Sequence, residues 1–281
     1  MSLPPNPSPD PFESTPPQLQ DSPVLESVPV VAAPLEKPFP AWKFRDVVAI
    51  LVFTLVAILV FTVGALFVAH SLPQYRNAPF TELATNAIIV IGAQTAAYPL
   101  VLLFIFVLVR SRSRQSFGRA IQWQWPGTLS VVFVIGGVVL ALVVESLARY
   151  LPIPKSLPMD TYFKDPTSAY LMASFGITLA PLLEELFFRG LLYPLLGRAF
   201  GVVTGVVLTA AAFAAIHGAQ LGYAWAPVLS IFVVGVAFTV VRVRTSSVAA
   251  SFLMHCGYNL ALFSALWIGS DHFRHLEKVT N

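Results

Sequence analysis

The sequence predicts an all-α fold, a polytopic bundle of about seven transmembrane helices behind a disordered Pro-rich N-terminal tail. Three observations predict it. Of 281 residues, 56% are hydrophobic and only 11% are charged, whereas a soluble domain carries about a quarter charged residues. The apolar residues gather into runs near the ~20 residues that cross a ~30 Å hydrocarbon core as a helix. Prolines concentrate at one end, with 12 of 23 in the first 40 residues.

In residues 1–40, including Pro4, Pro5, Pro7, Pro16 and Pro17, few large apolar side chains accompany the prolines, so the segment reads as a disordered solvated tail. Apolar runs follow at 46–69, 83–109, 128–144, 170–196, 202–216, 225–241 and 248–268. The fifth is short and rich in Ala and Gly, which suits close helix packing. The layout is therefore a tail over 1–40, N-terminal transmembrane helices over 41–165, a second helical core over 166–270 and a short polar tail over 271–281. The first strongly apolar run begins near Phe44, too far from Met1 for a cleaved signal, and reads as a retained first helix.

The net charge is +3 and there is one cysteine, Cys256. No disulfide framework exists. The basic residues lie between apolar runs, where they set orientation in a bilayer, and no nucleic-acid partner is expected. Lys43 and Arg45 precede the first run, and Arg110, Arg112, Arg114 and Arg119 follow the second. Arg198, Arg242 and Arg244 fall on the same side if seven helices alternate. That side is cytoplasmic by the positive-inside rule, so the N-terminus is expected inside. Arg76, Arg149, Lys155 and Lys164 fall on the other side. Residues 111–125, with Trp123 and Trp125, read as an interfacial segment.

Ionisable groups in hydrocarbon are costly and mark candidate functional positions. No charged residue or histidine lies between Asp165 and Glu184, so the pair Glu184-Glu185 is deep in the fourth run. Glu185 and Arg189 are four apart and stack on one helix face, where they can pair. Glu184 points about 100° away from Glu185, toward a different partner. Pro181 cannot donate to the carbonyl of Ile177, which predicts a kink. His217 closes the fifth run, four residues after Phe213. His255 and Asn259, also four apart, share a face of the seventh. From Arg198, Val202 and Ser246 the depths of Glu184, His217 and His255 come to roughly 21, 22 and 13 Å at the helix rise. Tilt absorbs the difference, so the three can meet in one layer.

Carboxylates, imidazoles and an amide suit hydrolysis by an activated water. Glu184 would take the proton with His217 assisting, and His255 and Asn259 would donate to an oxyanion. Alternatively Glu184, His217 and His255 would hold a divalent metal such as zinc, which would activate the water. These residues leave both schemes open. There is no His-Glu-x-x-His and no Gly-x-Ser-x-Gly. Ser246, Ser247 and Ser251 read as packing or capping the start of the seventh run.

Glu184-Glu185-x-x-x-Arg189, Phe213-x-x-x-His217 and His255-x-x-x-Asn259 resemble, in order, the three motifs of the CAAX protease and bacteriocin-processing (CPBP, or Abi) family of intramembrane proteases. The resemblance covers about Tyr170 to Ile268, which makes 166–270 the catalytic core. It implies a conical cavity and cleavage of peptide bonds. It further implies that Glu184 is the base, His217 assists the water, His255 and Asn259 form the oxyanion site, and Glu185 and Arg189 support them. The family is often labelled metalloprotease, and a metal-free glutamate mechanism has also been argued. The expected partners are a membrane-associated or lipid-modified peptide and the lipid bilayer, and the expected location is a bacterial plasma membrane. A non-catalytic membrane adaptor or immunity partner is the alternative, followed by a proton pathway. No chain of acidic groups crosses the bilayer to support the last.

Overall fold

The computed structural model describes residues 1–2 and 39–275. All of the expected Pro-rich tail except residues 1, 2, 39 and 40 lies outside the described residues, as do residues 276–281 of the polar tail. The described chain is helical throughout, without strands. Long helices follow the apolar runs closely: α1 (Phe44–Ser71), α2 (Ala87–Arg112) and α3 (Ser130–Ala148). The fourth run is an interrupted span. It comprises α4 (Pro166–Ile177), α5 (Leu179–Glu185), a π-helical stretch (Leu186–Leu192) and α6 (Tyr193–Phe200). After it come α7 (Val202–His217), α8 (Trp225–Thr245) and α9 (Val248–Gly269). Among the described residues, six spans are long and apolar enough to cross a bilayer, and α7 is a shorter apolar helix of 16 residues. On α1 a broad face including Leu51, Leu55, Leu59 and Val63 is exposed. Such a helix is at home in lipid and not in water. The protein is an integral membrane protein.

Local chemistry sets the helix ends. Asn86 accepts from the backbone of Ile88 and Ile89 to cap α2. Pro166 opens α4 behind Asp165, whose carboxylate accepts from the backbone and hydroxyl of Ser168. Ser247 caps α9 by accepting from Ala250 N–H. At the arginine-rich end, Asp46 at the start of α1 pairs with Arg112 at the end of α2 at 2.8 Å. There, too, residues 111–125 dock on the core. Gln122 carbonyl accepts from Val248 N–H, and Ser247 donates to Gln124 carbonyl.

Helix α9 is locked to α3 through two glycines. A Cβ on Gly137 would overlap the backbone of Met254, and a Cβ on Gly257 would overlap that of Val134. The two backbones touch where any side chain would separate them, which is how small residues bring membrane helices together. This contact fixes the height and rotation of α9, which carries His255 and Asn259. Past α9, residues 271–275 turn back. Phe273 is buried against Phe163 and Tyr170, tying the end of α9 to the start of α4.

The kink expected at Pro181 occurs three residues earlier. Thr178 has φ −122° and ψ −71° and separates α4 from α5. Pro181 then sits inside α5, near its start, where a missing N–H costs little.

Candidate active site

The site is built outward from Glu185 and Arg189, both fully buried. Arg189 Nη1 donates to Glu185 Oε1 at 2.8 Å across one helical turn. The rest of the guanidinium is satisfied by α8. Nη2 donates to Gly235 carbonyl at 2.9 Å and Nε to Thr239 hydroxyl at 3.3 Å. Its face lies 4.5 Å from the centre of the Phe213 ring and 5.4 Å from that of Phe238. A buried charge persists only when paired and hydrogen-bonded, and here each guanidinium nitrogen has a partner. Sequence reasoning missed Gly235 and Thr239. Their one-turn spacing of small residues on a membrane helix was the available signal.

The same Glu185 oxygen faces His255 Nδ1 at 3.0 Å. A carboxylate only accepts, so Nδ1 carries the proton and Nε2 is turned to the other side. Phe238 packs against the His255 ring at 4.5 Å, tilted by 30°. His217 is oriented in the same manner by its own helix. Its Nδ1 lies 2.8 Å from Phe213 carbonyl. A carbonyl also only accepts, so Nδ1 is again the donor and Nε2 of the neutral ring keeps its lone pair.

Both Nε2 atoms face Glu184. His217 Nε2 is 4.0 Å from Oε1 and His255 Nε2 is 3.8 Å from Oε2. Neither distance is a direct hydrogen bond. The Glu184 side chain retains 21% of its exposure, against none for Glu185. Asn259 stands one turn beyond His255 and donates to Gly176 carbonyl at 2.6 Å, at the end of α4 beside the Thr178 break. The six polar residues singled out in the sequence are thus brought together from the interrupted span, α7 and α9.

Beside them is a cavity of about 440 Å³. Glu184, His217, His255 and Asn259 reach it, whereas Glu185 and Arg189 lie behind its wall. Apolar side chains including Ile91, Met172, Phe175 and Leu262 make up most of the wall, with Tyr98 of α2 among them. The break at Thr178 and the π-helical stretch flank Glu184 and Glu185 on either side. π-Turns of this kind are frequent at functional sites.

A zinc ion bound at ~2.0–2.2 Å would draw its donors within about 3.5 Å of one another. Glu184 stands farther than that from both His217 and His255. Among the described residues, no three His, Cys, Asp or Glu side chains are set to hold a metal ion. As arranged, the donors do not fit a metal.

Residues 166–261 match the model of the family described as type II CAAX prenyl endopeptidase, Rce1-like. The match falls on the segment that contains Glu184, His217, His255 and Asn259, and agrees with the resemblance that the three motifs carry. The family's description is that of an endopeptidase, and the match indicates a protease. No curated protein and no solved structure matches the chain.

Proposed function

We propose that the protein is an intramembrane endopeptidase that hydrolyses membrane-associated or lipid-modified peptides with a water activated between Glu184 and His217. The observation that carries this reading is the 4.0 Å gap between Glu184 Oε1 and His217 Nε2. Two acceptors at that separation suit one water, which donates a hydrogen to each.

Glu184 takes a proton from the water as its oxygen adds to the scissile carbonyl carbon. The carbonyl electrons move onto oxygen, where the Asn259 amide and His255 Nε2–H, when that ring carries both protons, donate to the oxyanion. Glu184 then passes its proton to the leaving nitrogen, the oxyanion reforms the carbonyl as the C–N bond breaks, and a carboxylic acid and an amine remain, between which the second water proton then moves to give carboxylate and ammonium. Glu185 holds His255 in place, and Arg189 neutralises Glu185. The chain lies in the bilayer with Lys43 and the other cations of that end in the cytoplasm.

The test is cleavage of membrane-bound peptides by the full-length protein in liposomes, followed by mass spectrometry. Turnover should vanish in Glu184→Ala and His217→Ala protein that still melts cooperatively. Unchanged turnover in both variants would falsify the reading.

A further inference from the structure

We propose that the active-site cavity opens on the extracytoplasmic face of the membrane, so that its substrate is an apolar peptide segment already carried across the bilayer. The substrate half of this statement rests on the protease reading above, but the direction of opening does not.

The two ends of the bundle differ in charge, and the cavity belongs to one of them. Nine of the 17 Lys and Arg residues lie at the end where α1 begins and α2, α6 and α8 finish. The fold confirms that these positions share an end. Asp46 pairs with Arg112, and Arg242 donates to Gln122, whose backbone carbonyl accepts from the first turn of α9. Among the described residues, the opposite end carries Arg76, Arg149, Lys155, Lys164 and Arg274. Cations in short loops mark the cytoplasmic side, and nine against five leaves the second end outside.

The cavity opens at that second end. Its rim is formed by the α3–α4 connection and the α7–α8 connection, which are joined by Met159 N–H donating to Gln220 carbonyl at 3.0 Å. Lys155 and Gln220 are exposed there and also line the cavity. Asp160, on the same rim, is held by Leu157 N–H at 2.7 Å. From this polar mouth the walls become apolar toward Glu184. Residues 111–125 seal the other end, docked across the start of α9. A peptide confined to the cytoplasmic leaflet would meet that seal. One whose cleavage segment has been translocated would meet the mouth. The reaction that supplies the substrate is therefore an export or membrane-insertion step, and the released fragment leaves on the outer side.

Two measurements on the full-length protein test this. In a Cys256→Ala background, single cysteines are placed at Gln220 on the cavity wall, Ser156 on the rim and Ser113 at the opposite end. They are exposed to a membrane-impermeant maleimide on intact spheroplasts. The proposal expects labelling of Gln220→Cys and Ser156→Cys from outside, and of Ser113→Cys only after permeabilisation. The reverse pattern overturns it. The wild-type protein is then given an impermeant quenched apolar peptide in right-side-out and inside-out vesicles. Cleavage should be at least about 10-fold faster in the right-side-out preparation, and equal or reversed rates overturn the proposal. Cleavage in neither preparation counts against the protease reading, while the labelling still decides the direction of opening.

Discussion

Glu184 and Glu185 are neighbours in the chain, yet only Glu185 is hydrogen-bonded: its Oε1 accepts from Arg189 and His255, while Glu184 has no direct partner among the described residues. The 100° turn between successive helical residues separates a structural carboxylate from one facing the cavity. The two should therefore respond differently to the same change. Glu184→Gln is expected to lower turnover by about 10²–10⁴, the usual range for a general base, with little effect on melting temperature. Glu185→Gln leaves the Arg189 charge buried without its counter-ion, a loss of about 3–5 kcal/mol. It should lower the melting temperature sharply. Thermal unfolding in detergent, run beside peptide cleavage, separates the two, and equal melting temperatures would contradict the division of roles.

His217 offers a graded test. Its Nδ1 is committed to Phe213 carbonyl, so only Nε2 faces Glu184. Gln places an amide oxygen near the Nε2 position and keeps an acceptor there, whereas Ala keeps none. Initial rates should fall in the order wild type, His217→Gln, His217→Ala, with the last down about 10²-fold or more. Equal loss in the two variants would mean that the acceptor at Nε2 plays no part.

The glycine contact between α3 and α9 predicts a loss that begins far from any polar residue. Gly137→Ala and Gly257→Ala each push a methyl into the facing backbone, and overpacking of this kind costs about 1–3 kcal/mol or more. Because α9 carries His255 and Asn259, activity should fall together with stability. Gly136→Ala is the control. A Cβ there meets nothing within 4 Å, so replacing a helical glycine should leave stability unchanged or raise it by about 0.5–1 kcal/mol. Melting temperatures of the three variants check the contrast.

Asp165, outside the spans, sets an expectation for pH. Hydrogen bonds from the Ser168 hydroxyl and backbone hold its carboxyl below the ordinary carboxylate range. A depressed folded-state value adds stability above the unfolded pKa and loses it as pH falls through the folded one. The Asp165 cap is thus fully in place at neutral pH and fails only in acid below about pH 4. Asp165→Ala should lower stability by about 0.5–2 kcal/mol at pH 7 and by progressively less in acid. A pH-independent difference would show that the cap is not the source.

Much of this was legible in the residues alone. Apolar runs located the helices to within a few residues, because a lipid-facing helix such as α1 needs no amphipathic pattern to be seen. Charges at depth singled out the polar cluster, because an unpaired Glu184 has no reason to sit in hydrocarbon. What stayed hidden depends on backbone conformation and on contacts across long stretches of sequence. Pro181 marked a break that relaxes at Thr178, since a proline is tolerated in the first turn of a new helix. Nothing local to Gln122 indicates that it would meet Arg242 and the start of α9. Asn259 was read as an oxyanion donor, and the structure shows one of its amide hydrogens committed to Gly176 carbonyl. That partner becomes visible only when α4 and α9 are side by side.

The π-helical stretch after Glu185 rests on a side chain from another helix, which gives the last prediction. Tyr193 N–H donates to Phe188 carbonyl, five residues back. The next residue, Pro194, has no N–H to give to Arg189 carbonyl. That buried carbonyl is served by Arg242 Nε of α8 at 3.2 Å, while the rest of the guanidinium reaches Gln122 and lies 6.0 Å from the Tyr193 ring. Arg242 is 2% exposed, so its loss leaves an unsatisfied carbonyl, a cost of about 1–3 kcal/mol. Lys offers a single nitrogen where the fork of Arg serves both acceptors. Arg242→Lys and Arg242→Met should therefore both destabilise the protein. Both should also lower kcat more than they raise KM, because the π-turn sets the direction of Glu184 and Arg242 does not line the cavity. Thermal unfolding and steady-state kinetics on one preparation would test this, and an unchanged kcat in Arg242→Met would show that the π-turn holds without it.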